Sequence, residues 1–372
     1  MKKTSQMHPG RNFGQKLLFV LLGMAAGFGA GIGMAWALDS ADIGIGAVLF
    51  WLAGTLVGFY VQLILHEAGH LVCGLATGYR FVSFRIGSWV WQREQGRLRL
   101  RRFQLTGTAG QCLLAPPPLT DGKMPYILYN LGGPLANLLT AAVLGLAVVL
   151  LPGSGMARML LGTQALVGLL LALTNGLPLR GTVNNDGANA LSLGRDPAAL
   201  RSLWVQLNVN ARQTEGVRLR EMPAEWFTLP PDDQLQNSMT AVLAILCENR
   251  RMDAHDFDAA AELIDHLDQT PHALMPLYQH LLLCDRLTIA LLRREDAAPW
   301  LMEWETRPVR QFRTQMKDFP AVLRTEYAAA LHLGDAKKVE PLRARFVQRC
   351  ASYPYPAEVQ AEQELMDLLA AL

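Results

Sequence analysis

Leu65-His66-Glu67-Ala68-Gly69-His70 sets two histidines four residues apart, with a glutamate directly after the first. On a helix, positions i and i+4 share one face, so the two imidazoles can grip a single metal ion. Zinc accepts such a pair with one further protein ligand and leaves a fourth position to water. A glutamate at i+1 is then placed to take a proton from that water, which is hydrolytic zinc chemistry. The rival reading is a pair of interfacial histidines at a helix end beside a snorkelling glutamate. That reading must explain why the segment continues apolar through Leu71-Val72-Cys73-Gly74-Leu75. Ionisable groups in such a setting are costly and usually functional.

The elements that hold this motif follow from charge. The chain has 372 residues, 51% hydrophobic and only 18% charged, against about 25% in soluble proteins. Residues 1–182 carry a net charge of +9 and few acidic groups, whereas residues 183–372 carry −7. The first half has membrane composition, and the second has that of a soluble domain. Disorder, a disulfide mini-protein and a single soluble enzyme fold are excluded. The total of +2 is a cancellation, so no nucleic-acid partner is expected. Five scattered cysteines without metal-ligand spacing read as reduced, mostly buried thiols.

Four uncharged runs, at 17–38, 43–65, 125–157 and 159–179, reach the roughly 20 residues needed to cross a bilayer. In the third, Pro152-Gly153-Ser154-Gly155 ends a helix over 126–151 by missing donors and flexibility. Lys and Arg concentrate before the first run, between the second and third, and after the fourth. The excess of positive charge marks the cytoplasmic side, so four spans with both termini cytoplasmic are expected.

The second and fourth helices then run in the same direction, and the histidines lie at the inner end of the second. The third metal ligand is expected near the inner end of the fourth, where Asp186 is the sole acidic residue between Thr174 and Gly187. Asp186-Gly187 also suits a turn or a helix cap. Asn184 and Asn185 are weaker ligand candidates, being neutral amides. Asn137 falls deep inside the third helix. Its amide suits either a hydrogen bond between helices or stabilisation of an oxyanion.

The chain resembles the site-2 protease family of intramembrane zinc metalloproteases. The resemblance covers roughly residues 43–195. It rests on His66-Glu67-Ala68-Gly69-His70, on Asn130-Leu131-Gly132-Gly133-Pro134-Leu135-Ala136-Asn137, and on Asn175-x-x-Pro178 followed by Asp186-Gly187. It implies zinc held by His66, His70 and Asp186, Glu67 as catalytic base, and Asn137 near the substrate. The step of eight residues from Pro178 to Asp186 is longer than in many members.

The Arg-rich stretches at 80–86 and 97–103 read as strands joined through Glu94-Gln95-Gly96. They form either a cap whose arginines face lipid headgroups or an edge that pairs with unwound substrate. From residue 196 the pattern is helical, with tetratricopeptide-like turns at Asp256-Phe257 and Gly334-Asp335 but no regular repeat.

The expected architecture is mainly α: a polytopic membrane protein with about four spans, a small cytoplasmic β insertion and a C-terminal soluble helical domain. The domain bounds are 1–42 for the tail and first span, 43–195 for the catalytic core with its insertion at 79–113, and 196–372 for the helical domain. The expected activity is zinc-dependent cleavage of a transmembrane protein or membrane peptide near the cytoplasmic face of a bacterial membrane. A cytoplasmic regulator or substrate is expected on the helical domain. The alternative is a non-catalytic receptor or scaffold.

Overall fold

A computed structural model of the chain describes residues 44–103, 109–150, 155–179 and 184–372. The first expected span, at 17–38, lies outside the described residues. The contacts divide the chain into two units.

The first unit holds three helices long and apolar enough to cross a membrane: α1 (Ile45–Ala76), α2 (Ile127–Leu150) and α3 (Met156–Gly176). Their outward faces are bare aliphatic and aromatic side chains, such as Phe50, Val57, Leu139 and Val149. Such a face is stable only in an apolar solvent. The helix carrying the histidines does not stop at the motif but continues to Ala76. It ends where Gly78 adopts φ +87° and Tyr79 N–H donates back to Gly74 O at 3.0 Å, a left-handed stop that favours glycine.

The three helices meet through glycines and amides. A Cβ at Gly69 would lie 2.2 Å from Gly132 O, and one at Gly132 would lie 2.3 Å from Gly69 O. The backbones of α1 and α2 therefore touch, as small residues permit in membrane helices. Between α1 and α3, the Gln164 side chain fills the space left by Gly58, and Trp51 Nε1 donates to Thr163 Oγ1 at 3.1 Å. A short helix, α4 (Asp186–Ser192), follows.

The second unit joins a four-stranded sheet to a helical array. The strands are β1 (Arg80–Ile86), β2 (Trp89–Glu94), β3 (Arg97–Arg102) and β4 (Gly110–Ala115), in the order β3-β2-β1-β4. The sequence reading joins the first Arg-rich stretch directly to the second. Instead β2 lies between them, antiparallel to both, and β4 adds a fourth strand. The turn from β2 to β3 is Gln95-Gly96, both at positive φ, +48° and +78°, the conformation of a tight hairpin.

The expected domain bounds attach the insertion at 79–113 to the membrane core. The contacts group it from Phe81 onward, apart from the start of β4, with the helices from Pro197. The reason is a buried face filled from the array. Gln92 Nε2 donates to Pro354 O at 3.0 Å, and Phe103 meets the ring of Tyr353 edge-on at 5.3 Å.

The array comprises α5 (Pro197–Thr214), α6 (Ser238–Asp253), α7 (Phe257–Gln269), α8 (Pro276–Leu292), α9 (Ala298–Trp304), α10 (Arg307–Gln315), α11 (Pro320–His332), α12 (Ala336–Cys350) and α13 (Pro356–Ala370). Proline in the first turn starts α8, α9, α10, α11 and α13, where its missing N–H is harmless. One apolar cluster forms around Leu235, Leu243, Leu263 and Ile264, and a second around Leu287, Trp304, Leu323 and Phe346. Helix lengths run from 7 to 18 residues, so the array is irregular. Between the clusters lies a buried polar knot, where Arg324 pairs with Asp285 at 2.7 Å and Glu362 at 2.8 Å. Glu248 faces it fully buried with both carboxylate oxygens unbonded.

Candidate metal centre

Two elements of the first unit, α1 and α4, bring His66, His70 and Asp186 together. They form the one group of potential metal ligands among the described residues. His66 and His70 stack on one face of α1, with their Nε2 atoms 3.2 Å apart. Asp186 Oδ2 lies 3.3 Å from His66 Nε2 and 3.5 Å from His70 Nε2. A tetrahedral zinc with bonds of about 2.0–2.1 Å needs its ligand atoms about 3.4 Å apart. The triangle already has the size of one face of that tetrahedron.

The tautomers also fit. His70 Nδ1 sits 2.7 Å from Tyr129 O; a backbone carbonyl only accepts, so Nδ1 carries the proton. His66 Nδ1 sits 2.6 Å from Asn137 Oδ1. Asn137 Nδ2 donates to Gln62 O at 2.9 Å and to Gln62 Oε1 at 3.0 Å. The Gln62 carbonyl fixes which end of the Asn137 amide is nitrogen, so its oxygen faces His66 and accepts from Nδ1–H. Both imidazoles thus present the Nε2 lone pair to the centre, as outer hydrogen bonds commonly arrange for metal ligands.

Space for an ion is provided by Gly133, where a Cβ would lie 2.5 Å from both Nε2 atoms. Any larger residue would fill the point on which the ligands converge.

Asp186 is delivered by Asn185. The Asn185 side chain caps α4 by accepting from Ala188 N–H at 2.9 Å, and it also accepts from Leu179 N–H at 3.1 Å. Its Nδ2 donates to Thr174 O at 2.8 Å and Leu177 O at 2.6 Å. Asp186 therefore begins the helix rather than capping it, and its carboxylate is free to face the histidines. Gly187 follows because α4 starts against the end of α3, where a Cβ would lie 2.0 Å from Gly176 O. Burial pushes the Asp186 carboxyl up, but its contacts with His66 and His70 outweigh this and hold it below the usual carboxylate range.

Glu67 is buried on α1, against the first residue of β4. A Cβ at Gly110 would lie 2.6 Å from Glu67 Oε1. Asn137 differs from expectation. It is fully buried, and both N–H donors are taken by Gln62, leaving none for an oxyanion. It stands behind His66 as a positioning residue. Sequence reasoning missed Gln62, although an amide one turn before His66 in an otherwise uncharged run was a signal for it. It also missed Asn185 as the clasp and Gly133 as the cradle.

The model of peptidase family M50, the site-2 protease family, matches residues 54–317. The chain belongs to this family, and the membership makes it a membrane metallopeptidase. No curated protein and no solved structure matches it.

Proposed function

We propose that the protein is an intramembrane zinc protease that cleaves a membrane-spanning protein or membrane peptide near the cytoplasmic face. The observation that carries this reading is the convergence of His66 Nε2, His70 Nε2 and Asp186 Oδ2 at zinc-ligand spacing, with both imidazole protons held on the far side. These three residues would hold the ion, which when bound acidifies a water and polarises a carbonyl.

Glu67 accepts the proton of the attacking water and passes it to the leaving amine. Its burial keeps bulk water away from that carboxylate, so the proton stays within the site. Asn137 Oδ1 and Tyr129 O accept from Nδ1–H of His66 and His70, which turns each Nε2 toward the position of the ion. Edge strand β4, which begins at Gly110 beside Glu67, supports pairing with an unwound substrate backbone. A transmembrane helix hides its amides until it unwinds, so an edge beside the base is where extended substrate would register. The helical array is read as the recruiting surface for substrate or a regulator.

The test is cleavage of a transmembrane substrate in proteoliposomes by wild type and Glu67→Gln. Loss of cleavage with zinc retained is expected. Full activity in the variant would overturn the mechanism. An intact Glu67 argues against the scaffold reading, since a binder has no use for the base.

A further inference from the structure

The exposed face of the sheet is built the wrong way round for water. In an antiparallel sheet the covered face is normally apolar and the other polar. Here the covered face is mixed, with Val90 at 3% exposed beside Ser83, Arg85 and Gln92 at 8%, 2% and 0%. The register puts Trp89 opposite Arg102, Trp91 opposite Leu100, and Arg93 opposite Leu98 on the other face. On that face Trp89 is 44% exposed, Trp91 38%, Leu98 64% and Leu100 53%. Arg102 lies over the Trp89 ring at 4.6 Å. Neither Arg93 nor Arg102 meets a carboxylate among the described residues, since Glu94 is paired with Arg101.

Tryptophan, leucine and unpaired arginine together match the interfacial layer of a bilayer, where indoles sit at headgroup depth and guanidinium groups bind phosphate. Chain connection supplies the second argument. The end of α1 still exposes Val72 and Leu75, so it lies in an apolar medium. Only Thr77, Gly78 and Tyr79 separate Ala76 from Arg80 at the start of β1, a span of at most about 14 Å. The chain connection therefore keeps the start of β1 within that distance of the end of α1.

We propose that this face of the sheet is a lipid-docking surface. Trp89, Trp91, Leu98 and Leu100 enter the headgroup layer of an anionic bilayer, and Arg93 and Arg102 hold lipid phosphates. The proposal depends on the chain being a membrane protein and not on the metal centre, so its test needs no proteolysis.

The experiment places a nitroxide at Leu98→Cys, Leu100→Cys or, as a control on the helical array, Val347→Cys. The full chain is held in nanodiscs of phosphatidylcholine with phosphatidylglycerol. Labels at 98 and 100 should relax more with oxygen, which concentrates in lipid, than with a water-soluble nickel chelate, and the label at 347 should do the reverse. Removing phosphatidylglycerol should raise nickel access at 98 and 100. Nickel access at 98 and 100 equal to that at 347 would overturn the proposal. So would shielding from both reagents, which means a protein covers the face. Equal nickel access with and without phosphatidylglycerol would overturn the phosphate contact. Should the labelled chains fail to fold, quenching by brominated lipid serves instead. The quenched share of tryptophan emission should fall in Trp89→Phe/Trp91→Phe, and an unchanged share sinks the idea.

Discussion

His66 and Asn137 are joined by a 2.6 Å hydrogen bond whose direction is set by a third residue, since the Gln62 carbonyl occupies the other end of the amide. Asn137→Ala should therefore weaken zinc binding by about 10–100-fold, the usual cost of removing an outer partner of a metal ligand. Asn137→Asp, which still accepts from Nδ1–H, should lose less. Competition with a chelator measures both without reference to activity. Equal affinity in wild type and Asn137→Ala would remove the positioning role.

Gly133→Ala should abolish zinc binding while the three helices still assemble. The added methyl would sit 2.5 Å from both Nε2 atoms. The imidazoles cannot swing away, because Asn137 and Tyr129 O hold their far sides. Metal content by mass spectrometry, with detergent gel filtration to follow assembly, decides it. Normal zinc content would show that the rings give way.

Asp186→Asn should keep α4 in place and lose most of the metal. Asn185 carries the cap and the clasp, and a neutral amide is a poor substitute for a carboxylate on zinc. Asn185→Ala should lower zinc affinity through position alone. In Asp186→Asn, hydrogen exchange over α4 should be unchanged. In Asn185→Ala it should rise.

The helical unit should lose stability as pH rises. Burial, with Arg324 opposing it, holds the Glu362 carboxyl up at about 7, and burial followed by Glu362 holds Glu358 at about 8. Burial and then Asp285 push Glu248 well above the carboxylate range. Unfolded carboxyls release their protons near 4.3, so the folded state binds more protons over the interval above that. Stability then falls as pH rises above the unfolded value and through the folded values of Glu362 and Glu358, with Glu248 adding to the fall in the same direction. Protection of α13 amides, corrected for intrinsic exchange, should track this fall. Glu248→Gln should flatten it.

Much of the membrane unit was legible in the sequence because lipid imposes simple rules. Uncharged runs marked the three described spans, and His66-Glu67-Ala68-Gly69-His70 marked the ligand face. Asp186 was reachable because it was the sole acid at the right helix end. The sequence left Asn137 open between a hydrogen bond across helices and an oxyanion contact, because the partner that takes its donors, Gln62, is chosen by helix crossing at Gly69 and Gly132. Strand β2 was missed because its large apolar residues, Trp89 and Trp91, are exposed while Gln92 is buried beside Val90, which blurs the usual alternation. The attachment of the sheet to the helices was hidden for the same reason, since contacts such as Gln92 to Pro354 link residues far apart in sequence.

Asn185 binds Thr174, Leu177 and Leu179 across the neck of the segment that leads to Asp186. A neck closed in this way fixes Asp186 independently of the number of residues between 179 and 184. Residues added or removed between 179 and 184 should leave the address at which the carboxylate arrives unchanged. The long step from Pro178 to Asp186 is then neutral length. An inserted tag there should leave Asp186 within reach of His66 and His70.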